Sequence, residues 1–286
     1  MLKKSVTLYW DLNVERLTLG GALVLRQEGE ILAAGKHTDT IDLYIDFDPS
    51  ISAFPKRIAD IVFQSSSLIF NIHHGKPLGQ SYWPTKELIV KRHFSYYSFS
   101  RLISFYEYGG RPVRLKWKKQ LIKQAKQVRN MFGKKLICIH LKRVAPYDIK
   151  ESNAQITEWA SFLRNNYQKA EFIIIGDDPI PAEIKEITGV VSASDMGLDI
   201  ALQLCLIHVS DGFIGMASGI CNAANFSNVP NIIFKHPEHH VEDMLRELGD
   251  KDTFNFSGKH QFLWRTKATE KKLEEALNII TDNLWR

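Results

Sequence analysis

Between residues 135 and 234 the chain repeats one device: a short, almost uninterrupted apolar run, a polar turn, then a helical stretch. The runs are KLICIHL, EFIIIGDD, VVSAS, HVSDGFIG and PNIIF. A strand with one wet face alternates apolar and polar side chains. A strand that is apolar at nearly every position must be covered on both faces, which is the condition of a parallel sheet between helical layers. The stretches between the runs supply those helices. Residues 153–165 carry Ile156, Trp159 and Leu163 in phase, residues 181–187 and 219–226 are short, and residues 198–207 are apolar with Asp195 or Asp199 near their start. An amphipathic segment over 269–284 closes the chain. The pattern predicts a doubly wound, Rossmann-like unit of four or five parallel strands, with 230–234 the last.

The first half follows the same α/β alternation less regularly. SVTLYW (5–10) reads as a strand from its β-branched and aromatic content, 18–34 as a helix with Gly20 and Gly21 in its first turn and Gly35 as its stop, and IDLYIDF (41–47) as a second strand. A short helix over 57–64 leads to SLIFNIHH, a third strand ending at His73 and His74, while 86–108 is aromatic without a clear period. From 115 to 132, Trp117, Leu121, Ala125, Val128 and Phe132 recur at three- and four-residue steps, which predicts a helix with lysines on its other faces, stopped by Gly133 and joining the halves. A chain of 286 residues accommodates two domains, expected at 1–132 and 133–286.

Composition removes several classes. Hydrophobic residues are 44% and charged residues 24%, as in ordinary globular chains and unlike disordered or coiled-coil ones. No run approaches the roughly 18 apolar residues of a membrane-spanning helix. The start, MLKKSVTLYW, is too short in its apolar part for a secretory leader. Three cysteines, Cys138, Cys205 and Cys221, make no disulfide framework and no Cys-x-x-Cys, so they are expected to be inert, in a reducing, cytoplasmic setting. The charge is uneven. Twelve Lys and Arg and no Asp or Glu lie between Tyr108 and Tyr147, leaving 25 basic against 32 acidic residues elsewhere, although the whole chain is only +5. Such a patch attracts phosphates or acidic lipid head groups. No nucleic-acid motif accompanies it, so nucleic acid is not an expected partner.

In open α/β sheets ligands bind beyond the carboxyl ends of the strands, and that rule selects the candidate residues. Gly215, Ser218 and Gly219 form a strand–loop–helix junction where backbone can approach a ligand, and a helix starting near Ser218 would present N–H groups to a phosphate. The competing reading is that Ser218 only caps its helix. The loop is neither a Walker A sequence nor the dinucleotide fingerprint. His140, Lys142 and Arg143 end the first strand of the same unit, and Gly176 and Asp177 the next. Lys142 and Arg143 can neutralise a diphosphate, whereas His140 reads equally as a core histidine. His236, Glu238, His239 and His240 follow 230–234. Their spacing lacks the helical pair of zinc proteases, so the expectation is no metal, with Glu238 available to ribose hydroxyls. Asp11, His73 and His74 end strands of the first half.

These residues resemble a known family. Two Rossmann-like halves, a basic linker and a more regular second half look like a GT-B glycosyltransferase, with two domains facing a cleft. IHLKR (139–143) resembles the His-x-Arg-Arg strand end of GT-B fucosyltransferases, and 198–226 resembles their later donor-site segment; heptosyltransferases carry a similar Ser-Gly loop. The resemblance covers about 136–236, and the first half matches in architecture alone. It implies a metal-independent, inverting transferase of hexosyl or fucosyl type, without a cofactor, moving a sugar from a nucleotide-sugar such as a GDP- or UDP-sugar to a glycan or lipid-linked acceptor in polysaccharide biosynthesis. The donor would meet Lys142, Arg143, Gly176, Asp177, Gly215, Ser218, Gly219 and Glu238. Arg143 and His140 would serve catalysis, with the general base among His73, His74 and Asp11. Lys142 stands where the fucosyltransferases carry Arg, a point charge in place of a fork. Peripheral contact with an anionic inner membrane face is expected through the basic segment 111–135. A sugar-nucleotide epimerase or hydrolase, or a silent nucleotide-binding protein of the same fold, remains open.

Overall fold

The computed structural model describes residues 5–14, 18–50, 56–79, 81–85, 99–107, 114–143 and 152–282. The chain divides into two compact units, Met1–Lys118 and Lys119–Arg286.

The first unit holds a parallel sheet of β1 (Val6–Asp11), β2 (Thr40–Asp46) and β3 (Ile69–His74), in that spatial order. Trp83 extends the free edge of β1, its carbonyl accepting from Tyr9 N–H at 2.8 Å. Helix α1 (Leu19–Gly35) starts where Thr18 Oγ1 accepts the Gly21 N–H at 3.0 Å. It is buried almost all round, including Arg26, Gln27, Glu28 and Glu30. Those charges survive burial because each meets a partner. Arg26 Nε pairs with Glu30 at 2.8 Å, its Nη atoms donate to the Val62 and Lys116 carbonyls at 2.8 and 2.6 Å, and its guanidinium lies 4.4 Å over the Trp117 ring. Glu28 accepts from Arg101 at 2.6 Å and from Trp83 Nε1 at 3.1 Å. The helix expected over 57–64 is α2 (Lys56–Ile58) continued by a π-helical turn, Ala59–Phe63. Within the aromatic stretch, Ser100–Glu107 is helical (α3). Residues 86–98 and 108 lie outside the described residues, as does Arg111 of the basic segment.

The second unit contains α4 (Lys119–Arg129), β4 (Leu136–His140), α5 (Ile156–Asn166), β5 (Glu171–Ile174), α6 (Ala182–Lys185), β6 (Val190–Ser192), α7 (Ile200–Val209), β7 (Gly212–Met216), α8 (Cys221–Asn225), β8 (Asn231–Phe234), α9 (Val241–Leu248), β9 (Gln261–Trp264) and α10 (Glu270–Thr281). All neighbouring strands are parallel, in the order β6-β5-β4-β7-β8-β9. One sheet face puts Ile137, Ile139, Phe172, Ile174, Ile214, Met216, Ile232 and Phe234 against α5 and α10. Alternation sends Cys138, His140, Phe213, Gly215 and Ile233 to the other face.

Several expectations are corrected here. The sheet has six strands, and β9, only four residues long, follows the run expected to be last. Residues 208–209 end α7 instead of opening β7, and the helical bonding reaches Ser210, whose N–H donates to the Leu206 and Ile207 carbonyls. The basic helix is shorter than expected. Trp117 bridges Ser66 in extended backbone and packs under Arg26 in the first unit, so it is not part of the helical stripe. Helix α4 buries Ala125 and Val128, packs on α7, and pairs Arg129 with Asp211 at 2.6 Å, which places it in the second unit and not at the end of the first.

Candidate functional site

From β4 the second unit's chain winds outward through β5 and β6, then returns to the opposite flank of β4 with β7. The reversal makes the carboxyl ends of β4 and β7 the topological switch point, where an open α/β sheet leaves a crevice. His140 ends β4 opposite Gly215 of β7, and Lys142, Arg143 and the 217–219 turn follow at the same edge.

His140 is 3% exposed and its Nδ1 lies 2.9 Å from the Ile175 carbonyl. A carbonyl only accepts, so the ring proton sits on Nδ1. Burial pulls the imidazole's pKa down, against the hydrogen bond to Ile175 and the charge of Asp178. The ring is wedged between two glycines. A Cβ on Gly176 (φ +124°) would stand 3.3 Å from His140 Nδ1, and one on Gly215 would stand 3.0 Å from His140 Cβ. The structure therefore favours the core reading of His140, which shapes the edge. The Gly176 turn is pinned by two side chains that sequence reasoning missed: Gln203 Oε1 accepts the Gly176 N–H at 2.8 Å, and Ser194 Oγ donates to the Gly176 carbonyl at 2.8 Å. Asp177 is exposed, and Asp178 accepts the Arg143 backbone N–H at 3.1 Å.

Lys142 and Arg143 are half-buried, and neither side chain has an ion pair among the described residues. Burial lowers the Lys142 pKa. The helix expected from Ser218 starts later: α8 begins at Cys221, after a turn in which Cys221 N–H reaches Ser218 O at 3.2 Å and Asn222 N–H reaches Gly219 O at 3.3 Å. Ser218 does not cap α8, and its Oγ lies 3.9 Å from Cys221 Sγ. Burial pushes the Cys221 thiol up to about 11 and Cys138 up to about 12, as expected of inert cysteines.

Lys235 was missed as well. It follows β8 directly, is 8% exposed, and has no hydrogen-bond or ion-pair partner for its ammonium among the described residues. Its signal in the sequence was phase, since it sits two residues beyond Ile233 on a buried strand. Burial and the charge of Lys142 bring its pKa to about 8, against Glu247 and Asp243. Beside it, His239 has a buried Nε2 without a partner, and burial followed by the Lys235 charge drops its pKa to about 3. Glu238 is exposed, and His240 pairs with Asp243 at 3.2 Å. Among the described residues no group of three or more metal-ligating side chains assembles.

In the first unit, Asp11 and His74 share the carboxyl edge of the sheet. Both Asp11 oxygens have donors nearby, Tyr9 OH at 3.3 Å and Asn13 N–H at 3.0 Å. The Tyr9 hydroxyl donates to Asp46 at 2.9 Å, and burial and these carboxylates raise its pKa. His73, 42% exposed in its side chain, stacks on Tyr44 with centroids 4.6 Å apart and places Nε2 3.5 Å from Asp42 Oδ1. Burial raises the Asp42 carboxyl, but hydrogen bonds from Ser5, Asn71 and His73 outweigh it and hold the pKa below its ordinary value. Asp42 was not foreseen. His74 is exposed, its ring 6.2 Å from Phe47.

By sequence, no family model and no curated protein matches the chain. Solved structures do. The glycosyl transferase family 9 protein of Veillonella parvula DSM 2008 superposes with a TM-score of 0.56 at 10% identity, over 97% of both chains. The iron-containing dodecameric glycosyltransferase TibC of enterotoxigenic E. coli H10407 gives 0.50 at 14% identity, over 97% of this chain and 76% of that one. The chain has a GT-B glycosyltransferase fold. The GT-B resemblance read from IHLKR and from 198–226, and the two Rossmann-like units it implied, agree with that finding. Those two stretches are the ones that frame the switch point.

Proposed function

We propose that the chain is a glycosyltransferase that uses a nucleotide-sugar donor. The observation that carries this reading is the switch point of a GT-B fold lined by Lys142, Arg143 and the Ser218–Gly219 turn. Fixed cations there neutralise a diphosphate and the charge that grows on it as the glycosidic bond breaks, the task a divalent metal performs in other sites. No metal or other cofactor is then required. The second unit takes the donor and the first unit the acceptor, a glycan or lipid-linked sugar. His73, oriented by Asp42, is the best-supported general base, ahead of Asp11, whose oxygens are engaged. It would accept the proton of an acceptor hydroxyl as that oxygen attacks the anomeric carbon. The nucleoside diphosphate departs from the opposite side, so a single displacement inverts configuration. Hexosyl or fucosyl transfer in polysaccharide biosynthesis is the donor class to test first, in the cytoplasm and beside an anionic membrane surface.

Thermal-shift titration with ADP, GDP, UDP and CDP, and with their sugar conjugates, tests the reading. A ligand at 100 times its Kd adds about 2.7 kcal/mol of stability. A folded sample that none of them stabilises would remove the transferase reading. Binding without sugar transfer or donor hydrolysis would leave a silent nucleotide-binding protein.

A further inference from the structure

Strand β7 lies between β4 and β8, with Gly215 opposite His140 on one side and Ile233 on the other. Lys142 comes two residues after His140, and Lys235 two residues after Ile233. By alternation both lysines leave the sheet on the face that carries Gly215, away from the Met216 and Phe234 core. Beyond β8 the backbone stays in register to Lys235, because Ala217 N–H donates to Phe234 O at 2.8 Å and Lys235 N–H to Trp264 O at 2.9 Å, and beyond β4 the alternation continues with Leu141 in the core. Two ammonium groups thus flank the turn that starts at Ala217.

Neither ammonium has an ion-pair partner among the described residues, and the two repel each other. The carboxylates nearest Lys235 in effect are Glu247 and Asp243 of α9, and Asp243 is already held by Arg246 and His240. With the unpartnered Nε2 of His239, the arrangement calls for an anion. We propose that Lys142 and Lys235 grip the donor's diphosphate from the two sides of β7, and that Lys235 takes up a proton when the donor binds in alkaline solution. The proposal rests on the nucleotide-sugar reading above and adds to it a specific residue and a pH control.

Of the groups around Lys235, Lys142, its pKa also lowered by burial, responds with the same sign, whereas His239 and Cys221 do not. His239, near 3, is neutral throughout, and Cys221, near 11, keeps its proton. His236, His240, Glu247 and Asp243 are the other ionisable side chains whose charge reaches Lys235 or His239. Lys235, near 8 when the site is empty, is charged at pH 7 and neutral by pH 9.5. A bound diphosphate favours the charged form, so affinity is full below pH 8 and falls as pH rises past it.

Calorimetry with ADP, GDP, UDP and CDP at pH 7.5 and pH 9.5, and with inorganic pyrophosphate at pH 7.5, tests this. The binding nucleotide should weaken about tenfold or more between the two pH values. Lys235→Met should lose about tenfold at pH 7.5 with an unchanged melting temperature. Lys235→Arg should keep the affinity and reduce the pH dependence, and what remains in that variant measures the titration of Lys142 and of the nucleotide itself. Wild-type affinity equal at both pH values, or Lys235→Met binding like wild type, overturns the proposal and leaves the transferase reading standing. Pyrophosphate binding with no nucleotide bound removes the transferase reading and keeps the lysine pair. Silence from every ligand overturns both.

Discussion

A buried imidazole between two glycines has little freedom of rotamer, so His140 and Gly176 hold each other in place. Gly176→Ala would force an alanine to φ +124° with its Cβ 3.3 Å from His140 Nδ1. It should cost about 1–3 kcal/mol of stability, read as a lower denaturation midpoint, and should weaken nucleotide binding in the same protein. Arg143 is the contrasting residue, since among the described residues only its backbone is engaged. Arg143→Ala should lose roughly 1.5–3 kcal/mol of nucleotide affinity or transition-state stabilisation while leaving the melting temperature in place. A drop in melting temperature with unaltered affinity would make it a structural residue. At this scale the sequence disclosed residues whose neighbours in the chain form a motif: Lys142 and Arg143 after a strand, Ser218 and Gly219 after another. It hid Lys235, Gln203, Ser194 and Asp42. Gln203, Ser194 and Asp42 act through partners well removed in the chain, which no local spacing encodes, whereas Lys235 carried only its phase on a buried strand.

Among the elements, α1 and α4 are opposites. Helix α1 looks polar enough in sequence for a solvated face, yet Arg26, Glu28 and Glu30 are fully buried, because the partners that make this tolerable come from residues 62–66, 83, 101 and 116. Its existence was legible as a helical stretch over 18–34 stopped at Gly35, and its surroundings were not. Removing one member of a buried pair leaves a charge uncompensated, at about 3–5 kcal/mol. Arg101→Met should therefore destabilise the protein by that order in urea titration, and adding Glu28→Gln should recover a large part. Recovery of nothing would mean that Arg101 acts through its packing alone. Helix α4 keeps Lys119, Lys123 and Lys126 exposed, as its pattern predicted, with Lys116 exposed just before it. Each basic residue close to an anionic bilayer adds about 1 kcal/mol. Co-sedimentation with phosphatidylserine vesicles should be measurable at low salt, should fade near 0.5 M salt as the screening length contracts, and should be lost in a Lys119, Lys123, Lys126→Gln variant. Equal pelleting with neutral vesicles would reduce these lysines to ordinary solvation.

For the whole molecule, the division into units has a measurable counterpart. If the donor binds the second unit, hydrogen exchange should slow within 119–286 on adding nucleotide, most of all around 140–143, 215–221 and 234–240, with the first unit much less affected. Protection centred on the first unit would reverse the assignment of donor and acceptor. The GT-B fold was readable because strands buried on both faces announce themselves as apolar runs; β9 escaped because it is an edge strand, opened by Gln261 and with Phe262 and Trp264 only partly buried. The strand order also has a consequence for synthesis. β4 is made first yet sits in the middle of its sheet, and Ile137 must wait for Gly212 to close its second edge. At about 5–20 residues per second on the ribosome, that wait is on the order of several seconds. Throughout it Leu136–His140, apolar on both faces, offers an unpaired edge to any other nascent chain. The yield of folded protein should therefore respond to translation speed and chaperone supply more than to the stability of the finished molecule.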